Sequence, residues 1–256
     1  MNGSRFPVLM YHNVHPDSSI ISISSKTFSQ QIEWLYQQGY KALGLSFLID
    51  HIRNGIEIPE KSIFLTFDDG FAGLHEYVFP TLLRYGFSST IFLVSEYCGL
   101  NNDWPGQLAN IPRMPLLNWD QIQEMDERGI EFGAHTVTHP MLDNLNPNEI
   151  KDEIRGSKEF IEKRLGHKIN SFAYPYGRFN KKVKTIVEGE YRGACSTLVG
   201  LANSSSDPYV IERIDINLIK ELWMFRRIKS ADFPYYLALR RSIRSISKSI
   251  FNKPWW

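Results

Sequence analysis

Ser62-Ile63-Phe64-Leu65-Thr66-Phe67-Asp68-Asp69-Gly70 is a run of apolar and β-branched residues that stops on two carboxylates and a glycine. Its first six residues read as a buried strand and its last three as a polar turn. The same arrangement returns twice. Residues 130–134 lead into His135-Thr136-Val137-Thr138-His139, and residues 171–173 lead into Tyr174-Pro175-Tyr176-Gly177. Polar clusters at the ends of successive buried strands can meet at one mouth of an α/β barrel, where such folds place their chemistry.

Further strands are predicted over residues 6–11, 89–94, 193–197 and 210–217, giving seven in all. Helical spacing of apolar residues separates several of them. Phe28, Ile32, Leu35 and Tyr36 mark a helix over 27–38, and a second runs over 119–128. A third begins at Asn146-Pro147-Asn148-Glu149, where Asn146 can cap, Pro147 suits the first helical position and Glu149 suits the positive end of the dipole. Strands alternating with helices leave a parallel barrel or an open doubly wound sheet. No glycine-rich dinucleotide fingerprint and no phosphate loop is present, which favours the barrel. Residues 99–115, with three prolines, are expected to form a long loop beside the mouth.

At 256 residues, 43% hydrophobic and 22% charged, the chain suits a single large domain. We expect a catalytic unit over 1–232 and a tail over 233–256. The formal charge of +1 conceals an asymmetry: from Lys220 onward there are nine Lys/Arg against Glu221 and Asp232, so residues 220–256 carry +7 and the rest −6. Cys98 and Cys195 lie far apart and read as buried apolar thiols. The first residues lack the apolar stretch of a secretion signal, and no run of about 18 apolar residues appears. A cytoplasmic protein is the expectation.

His135 and His139, four apart, fall on one side of an extended segment or on one face of a helix, as a ligand pair or as two ordinary polar contacts. Pro140 and the preceding strand pattern favour a strand end. Asp68-Asp69-Gly70 is either a carboxylate-stabilised turn or a functional pair whose adjacent carboxylates point apart. In the functional reading Asp69 joins the two imidazoles around a divalent ion and Asp68 is left to act as a base.

Taken together, Thr66-Phe67-Asp68-Asp69-Gly70, His135 to His139 and Phe172-Ala173-Tyr174-Pro175-Tyr176-Gly177 resemble the first three motifs of the NodB-homology polysaccharide deacetylases, carbohydrate esterase family four. The resemblance covers roughly residues 6–220. It implies a distorted (β/α) barrel of about seven parallel strands and metal-dependent removal of N-acetyl groups from the amino sugars of a polysaccharide or glycolipid. Carried over, Asp69, His135 and His139 are the metal ligands, Asp68 is the catalytic base, and the backbone N–H of Tyr176 donates to the oxyanion. Zinc fits such a ligand set, as do cobalt, nickel and iron.

Two positions depart from the common pattern. Ala173 stands where many members carry an arginine that orients the base, and residues 210–217 contain no histidine to serve as general acid. Pro7-Val8-Leu9-Met10-Tyr11-His12 resembles the opening of exopolysaccharide deacetylases whose late motifs are permuted to the N-terminus, a subgroup that shares the alanine. His12 then becomes the acid, with a solvated strand-end histidine as the alternative. Leu9, Met10, Trp104 and Pro175 are the expected substrate contacts, and Trp119 is expected to pack before its helix. His51, His75 and His167 read as partnerless surface residues.

The tail sets Ile243, Ile246 and Ile250 against Arg240, Arg241, Arg244 and Lys248 and ends Pro254-Trp255-Trp256. This suits either a helix packed on the barrel or a peripheral anchor at the inner membrane face. No nucleic-acid module accompanies the charge. Two other functions stay open: an O-deacetylase or small-amide hydrolase on the same barrel, and a carbohydrate-binding protein with a degenerate site.

Overall fold

The computed structural model describes residues 4–16 and 19–251, with side chains described up to residue 243. Trp255 and Trp256, and the side chains of Arg244, Ile246, Lys248 and Ile250, lie outside the described residues.

In chain order the strands are β1 (Val8–Tyr11), β2 (Asn13–Val14), β3 (Ser22–Ile23), β4 (Lys41–Leu43), β5 (Ser62–Phe67), β6 (Thr90–Leu93), β7 (Glu131–Ala134), β8 (Ser171–Ala173), β9 (Gly193–Val199) and β10 (Ile211–Asp215). The α-helices are α1 (Ser25–Gln37), α2 (Leu45–Asn54), α3 (Phe79–Tyr85), α4 (Trp119–Glu127), α5 (Pro147–Leu165), α6 (Lys181–Glu190), α7 (Leu222–Phe225) and α8 (Phe233–Phe251). Strands β5 to β10 pair in sequence order, all parallel, and β1 closes the ring by pairing with both β10 and β5. The result is a closed seven-stranded parallel barrel, the favoured one of the two arrangements that alternating strands and helices leave open.

An eighth strand lies outside the ring. β4 pairs with the first half of β5 through Lys41↔Ser62 and Leu43↔Phe64, while β6 takes the second half through Thr66↔Thr90 and Phe67↔Ile91. With β1 occupying the other edge of β5, β4 and β6 share one edge end to end.

Side-chain alternation divides the core in two. Val8, Phe64, Phe92, Ala173, Cys195 and Ile211 fill the barrel interior, with Leu45, Leu48 and Ile49 of α2 packed against them. Leu9, Tyr11, Leu65, Phe67, Phe132 and Phe172 face outward and pack with the apolar stripes of the helices. Leu9 is therefore turned away from the interior and meets the helical layer, which corrects its assignment as a substrate contact.

The helix-start signals act as expected. Asn146 and Glu149 form a reciprocal capping box on α5, as Asn118 and Gln121 do on α4, and Gly166 ends α5 in the left-handed conformation. Phe233 and Leu237 of α8 are buried in the outer core, whereas Tyr235, Leu239 and Ile243 are exposed along another face of the same helix. Among the described residues no helix is long and apolar enough to cross a membrane.

Candidate active site

Continuing the inward and outward alternation of β5 beyond Phe67 turns Asp68 toward the barrel axis. The chain then reverses at Asp69, whose φ of 74° is left-handed. Among the described residues four non-glycine residues have positive φ: Asp69, Thr136, His139 and Tyr176. All four belong to the three polar clusters, and such costly backbone persists only where the surroundings over-determine it.

The clusters meet. Met10, His12, Asp68, Asp69, Trp104, His135, His139, Tyr174 and Tyr176 line one cleft, together with Asp215 at the end of β10 and Asn217 beyond it. Ile20, Ile21, Leu108 and Ile111 give it an apolar rim. The loop over 99–115 thus reaches the mouth, as expected.

Asp69 Oδ1 lies 3.5 Å from His135 Nε2 and 3.4 Å from His139 Nε2. His135 Nδ1 sits 2.8 Å from the Ala173 carbonyl, which accepts its proton and fixes the tautomer with a bare Nε2. That lone pair faces Asp69 Oδ1, a buried oxygen with no hydrogen-bond partner. An acceptor facing an acceptor fits a cation between them. A tetrahedral site with bonds of about 2.1 Å puts its ligand atoms about 3.4 Å apart, close to the spacing seen. The three residues therefore fit a divalent ion.

Electrostatics prepare the same set. Burial opposes the Asp69 charge, but His139, His12 and His135 outweigh it and hold the carboxyl down to about 2. Burial and the neighbouring His139 pull the His135 imidazole down to about 4, against Asp68, Asp69 and the Ala173 carbonyl. At neutral pH the carboxylate is ionised and His135 is neutral, the forms that bind a metal.

Asp68 is held by a residue absent from the sequence reasoning. Arg213 of β10 donates from Nη1 to Asp68 Oδ1 at 2.7 Å and from Nη2 to Oδ2 at 2.8 Å. Its Nε donates to the Ser196 carbonyl at 2.9 Å, and Nη1 also donates to Thr66 Oγ1 at 3.1 Å. The guanidinium is fully buried. Burial pushes the Asp68 carboxyl up, but the charge and hydrogen bonds of Arg213 win and bring it below the usual carboxylate range. The arginine that Ala173 lacks thus arrives from a different strand. In the ring β10 is separated from β5 only by β1, so a long side chain at an inward position of β10 reaches the end of β5. The sequence signal was a cation between two isoleucines in Ile211-Glu212-Arg213-Ile214, on the same face as Ile211.

Other assignments shift. Trp104 lines the cleft, but at 2% exposure it packs on His139 with ring centroids 4.4 Å apart, so it forms a wall and not an open stacking platform. Pro175 is buried and is absent from the cleft lining. Trp119 packs on Phe160, as expected. His75 and His167, read as partnerless, pair with Glu124 and Asp126, and His51 Nδ1 lies 2.7 Å from the Ile56 carbonyl.

Known proteins supply independent evidence. The sequence profile described as polysaccharide deacetylase matches residues 55–190, more than half of the chain. The poly-beta-1,6-N-acetyl-D-glucosamine N-deacetylase of Staphylococcus epidermidis is 27% identical over 216 residues, covering 78% of this chain and 72% of that protein. Among solved structures, the Streptococcus pyogenes deacetylase PplD in complex with acetate is 26% identical, with a TM-score of 0.74 over 84% of this chain and 93% of that one. IcaB from Ammonifex degensii shares the fold at a TM-score of 0.74 and 24% identity, over 88% of this chain and 96% of that one. The profile match covers Asp68, Asp69, His135, His139 and Tyr176, the residues whose geometry was derived above, and the chain belongs to the polysaccharide deacetylase family.

Proposed function

We propose that this chain hydrolyses the N-acetyl groups of amino sugars in a glycan, with a divalent ion, zinc in the first instance, held by Asp69, His135 and His139. The observation that carries this reading is the buried Asp68–Arg213 pair directly beside an Asp-His-His set whose facing lone pairs call for a cation. When bound, the ion would acidify a water molecule and polarise the acetyl carbonyl, which lets a carboxylate as weakly basic as Asp68 serve as proton acceptor.

The chain's own groups carry the rest. Arg213 keeps Asp68 ionised and fixes both of its oxygens. The Tyr176 amide, turned by that residue's left-handed φ of 58°, is the proposed donor to the oxyanion. His12, at the end of β1 next to β5, gives a proton to the departing amine. Met10 projects inward two residues before it and offers an apolar contact for the acetyl methyl group. The products are acetate and a free amine.

The named substrate of the staphylococcal relative makes oligomers of β-1,6-linked N-acetylglucosamine the first substrate to try. Acetate release should be measured on these oligomers beside acetylated xylan. Release from the amide substrate alone supports N-deacetylation, and release from xylan alone replaces it with O-deacetylation.

The exposed stripe of Tyr235, Leu239 and Ile243 on a helix that also carries Arg240 and Arg241 supports one additional reading, peripheral attachment to anionic lipid at the inner membrane face. Flotation of the full chain with anionic vesicles, lost in Leu239→Ser/Ile243→Ser, would bear it out; equal flotation would end it.

A further inference from the structure

His135 and His139 are the ends of a loop whose middle is gripped from outside the barrel. Glu153, in the second turn of α5, accepts from the Val137 amide at 2.8 Å and the Thr138 amide at 2.9 Å through Oε2, and from Thr138 Oγ1 at 2.6 Å through Oε1. Three donors on one carboxylate are charge-assisted bonds, stronger than neutral ones. The opposite side of the loop is tied as well: the Ser95 amide donates to the Thr136 carbonyl at 3.1 Å and the Glu96 amide to the Val137 carbonyl at 3.2 Å. Within the loop the His139 amide donates to Thr136 Oγ1 at 2.9 Å.

The loop needs this grip. Thr136 and His139 both hold left-handed φ, 73° and 60°, and a β-branched residue there is an outlier. Released from its ties, the segment would relax toward ordinary φ and carry the two imidazoles apart. The helix is also shaped for the contact. Gly156 lies on the same face as Glu153, three residues on, and a Cβ there would sit 3.2 Å from Val137 Cγ2. A glycine in mid-helix is disfavoured, and here it lets α5 approach the loop closely.

We propose that Glu153 is a positioning residue for the metal site: it holds the 136–139 loop in the strained shape that aims His135 and His139 at Asp69, so that the affinity for a divalent ion depends on α5. The inference rests on the reading of Asp69, His135 and His139 as metal ligands.

The test is calorimetric titration of Zn2+ into metal-stripped full-length protein, with amide hydrogen exchange and thermal unfolding of the same samples. Outer partners of metal ligands typically contribute about 10–100-fold in affinity. Glu153→Ala should therefore weaken zinc binding at least about tenfold and speed exchange at Val137 and Thr138. Glu153→Gln, whose carbonyl can still accept from both amides, should stay within about threefold of the wild type. Thr138→Val removes one bond of the grip, leaves the helix intact and should cost about threefold. Glu149→Ala breaks the α5 capping box without touching the loop, so it should lower the unfolding temperature and leave zinc affinity unchanged.

Equal zinc affinity in wild type, Glu153→Ala and Thr138→Val overturns the proposal while the metal reading stands. So does a loss in Glu149→Ala matching that in Glu153→Ala, because general helix stability then accounts for it. A wild type that takes up no zinc or other divalent ion overturns the metal reading itself, and the positioning role falls with it.

Discussion

Replacing Arg213 with methionine keeps an unbranched stem, shortens the side chain and removes the only cation that touches Asp68 among the described residues. Both partners are buried, the guanidinium fully and the carboxylate nearly so. Breaking one side of such a pair costs about 3–5 kcal/mol, because the other charge is left in the interior unpaired. For a domain of this size that is about 10 °C of unfolding temperature. The loss also carries a pH signature. In the wild type the Asp68 carboxyl is held below its usual range, so the pair's stabilisation is present above the unfolded pKa and fades as pH falls through the folded one. In Arg213→Met burial is opposed only by the charges of His135 and His12, and the same carboxyl moves up. The stability difference between the two proteins should thus be largest near neutral pH and shrink on acidification. The acid limb of kcat/KM should move to higher pH, each unit corresponding to about 1.4 kcal/mol. Urea unfolding across pH and a pH–rate profile read both effects. The double variant Asp68→Asn/Arg213→Met should lose less than the sum of the single losses. A variant as stable as the wild type with an unmoved acid limb would refute the reasoning.

Further outcomes follow from the same geometry. Asp69→Asn should weaken zinc binding by more than about 100-fold, beyond the range for an outer partner, as titration of the metal-stripped protein would read. Gly177→Ala should impair acetate release, since its φ of 63° is left-handed and a Cβ would fall 2.0 Å from Thr197 Oγ1, displacing the turn that carries the Tyr176 amide; unchanged kcat/KM would count against that turn's role. The side-chain hydrogen bond to Asp126 raises the His167 pKa, so its stabilisation is full below the unfolded pKa and disappears as pH rises through the folded one. His167→Gln should accordingly be less stable than the wild type near pH 5 and equal to it near pH 9. The pair is exposed, so the effect should stay under about 1 kcal/mol.

The seven strands read from the sequence are the seven of the closed ring, because each is an apolar run with a clear polar end. β4 escaped notice: three residues, one exposed, give no periodicity, and only the pairing with β5 makes them a strand. Asp68, Asp69, His135 and His139 were legible because local chemistry marks them, two acids before a glycine and two imidazoles four apart. Arg213 was not, since its value comes from the order of strands in the ring, which brings it to a residue 145 positions earlier. Glu153 was hidden similarly, as one acid among many on a helix whose inward side depends on packing. Leu9 was misplaced although alternation from Met10 and His12 could have turned it outward. The partners of His75 and His167 lie 49 and 41 residues away, beyond any local pattern.

The most direct test of the account is acetate release from N-acetylglucosamine oligomers by zinc-loaded protein, run beside identically prepared Asp68→Asn and metal-stripped samples. The account expects release by the loaded wild type and its loss in both controls, with Asp68→Asn still binding zinc. Undiminished release by Asp68→Asn, or by protein shown to hold no metal, would contradict it.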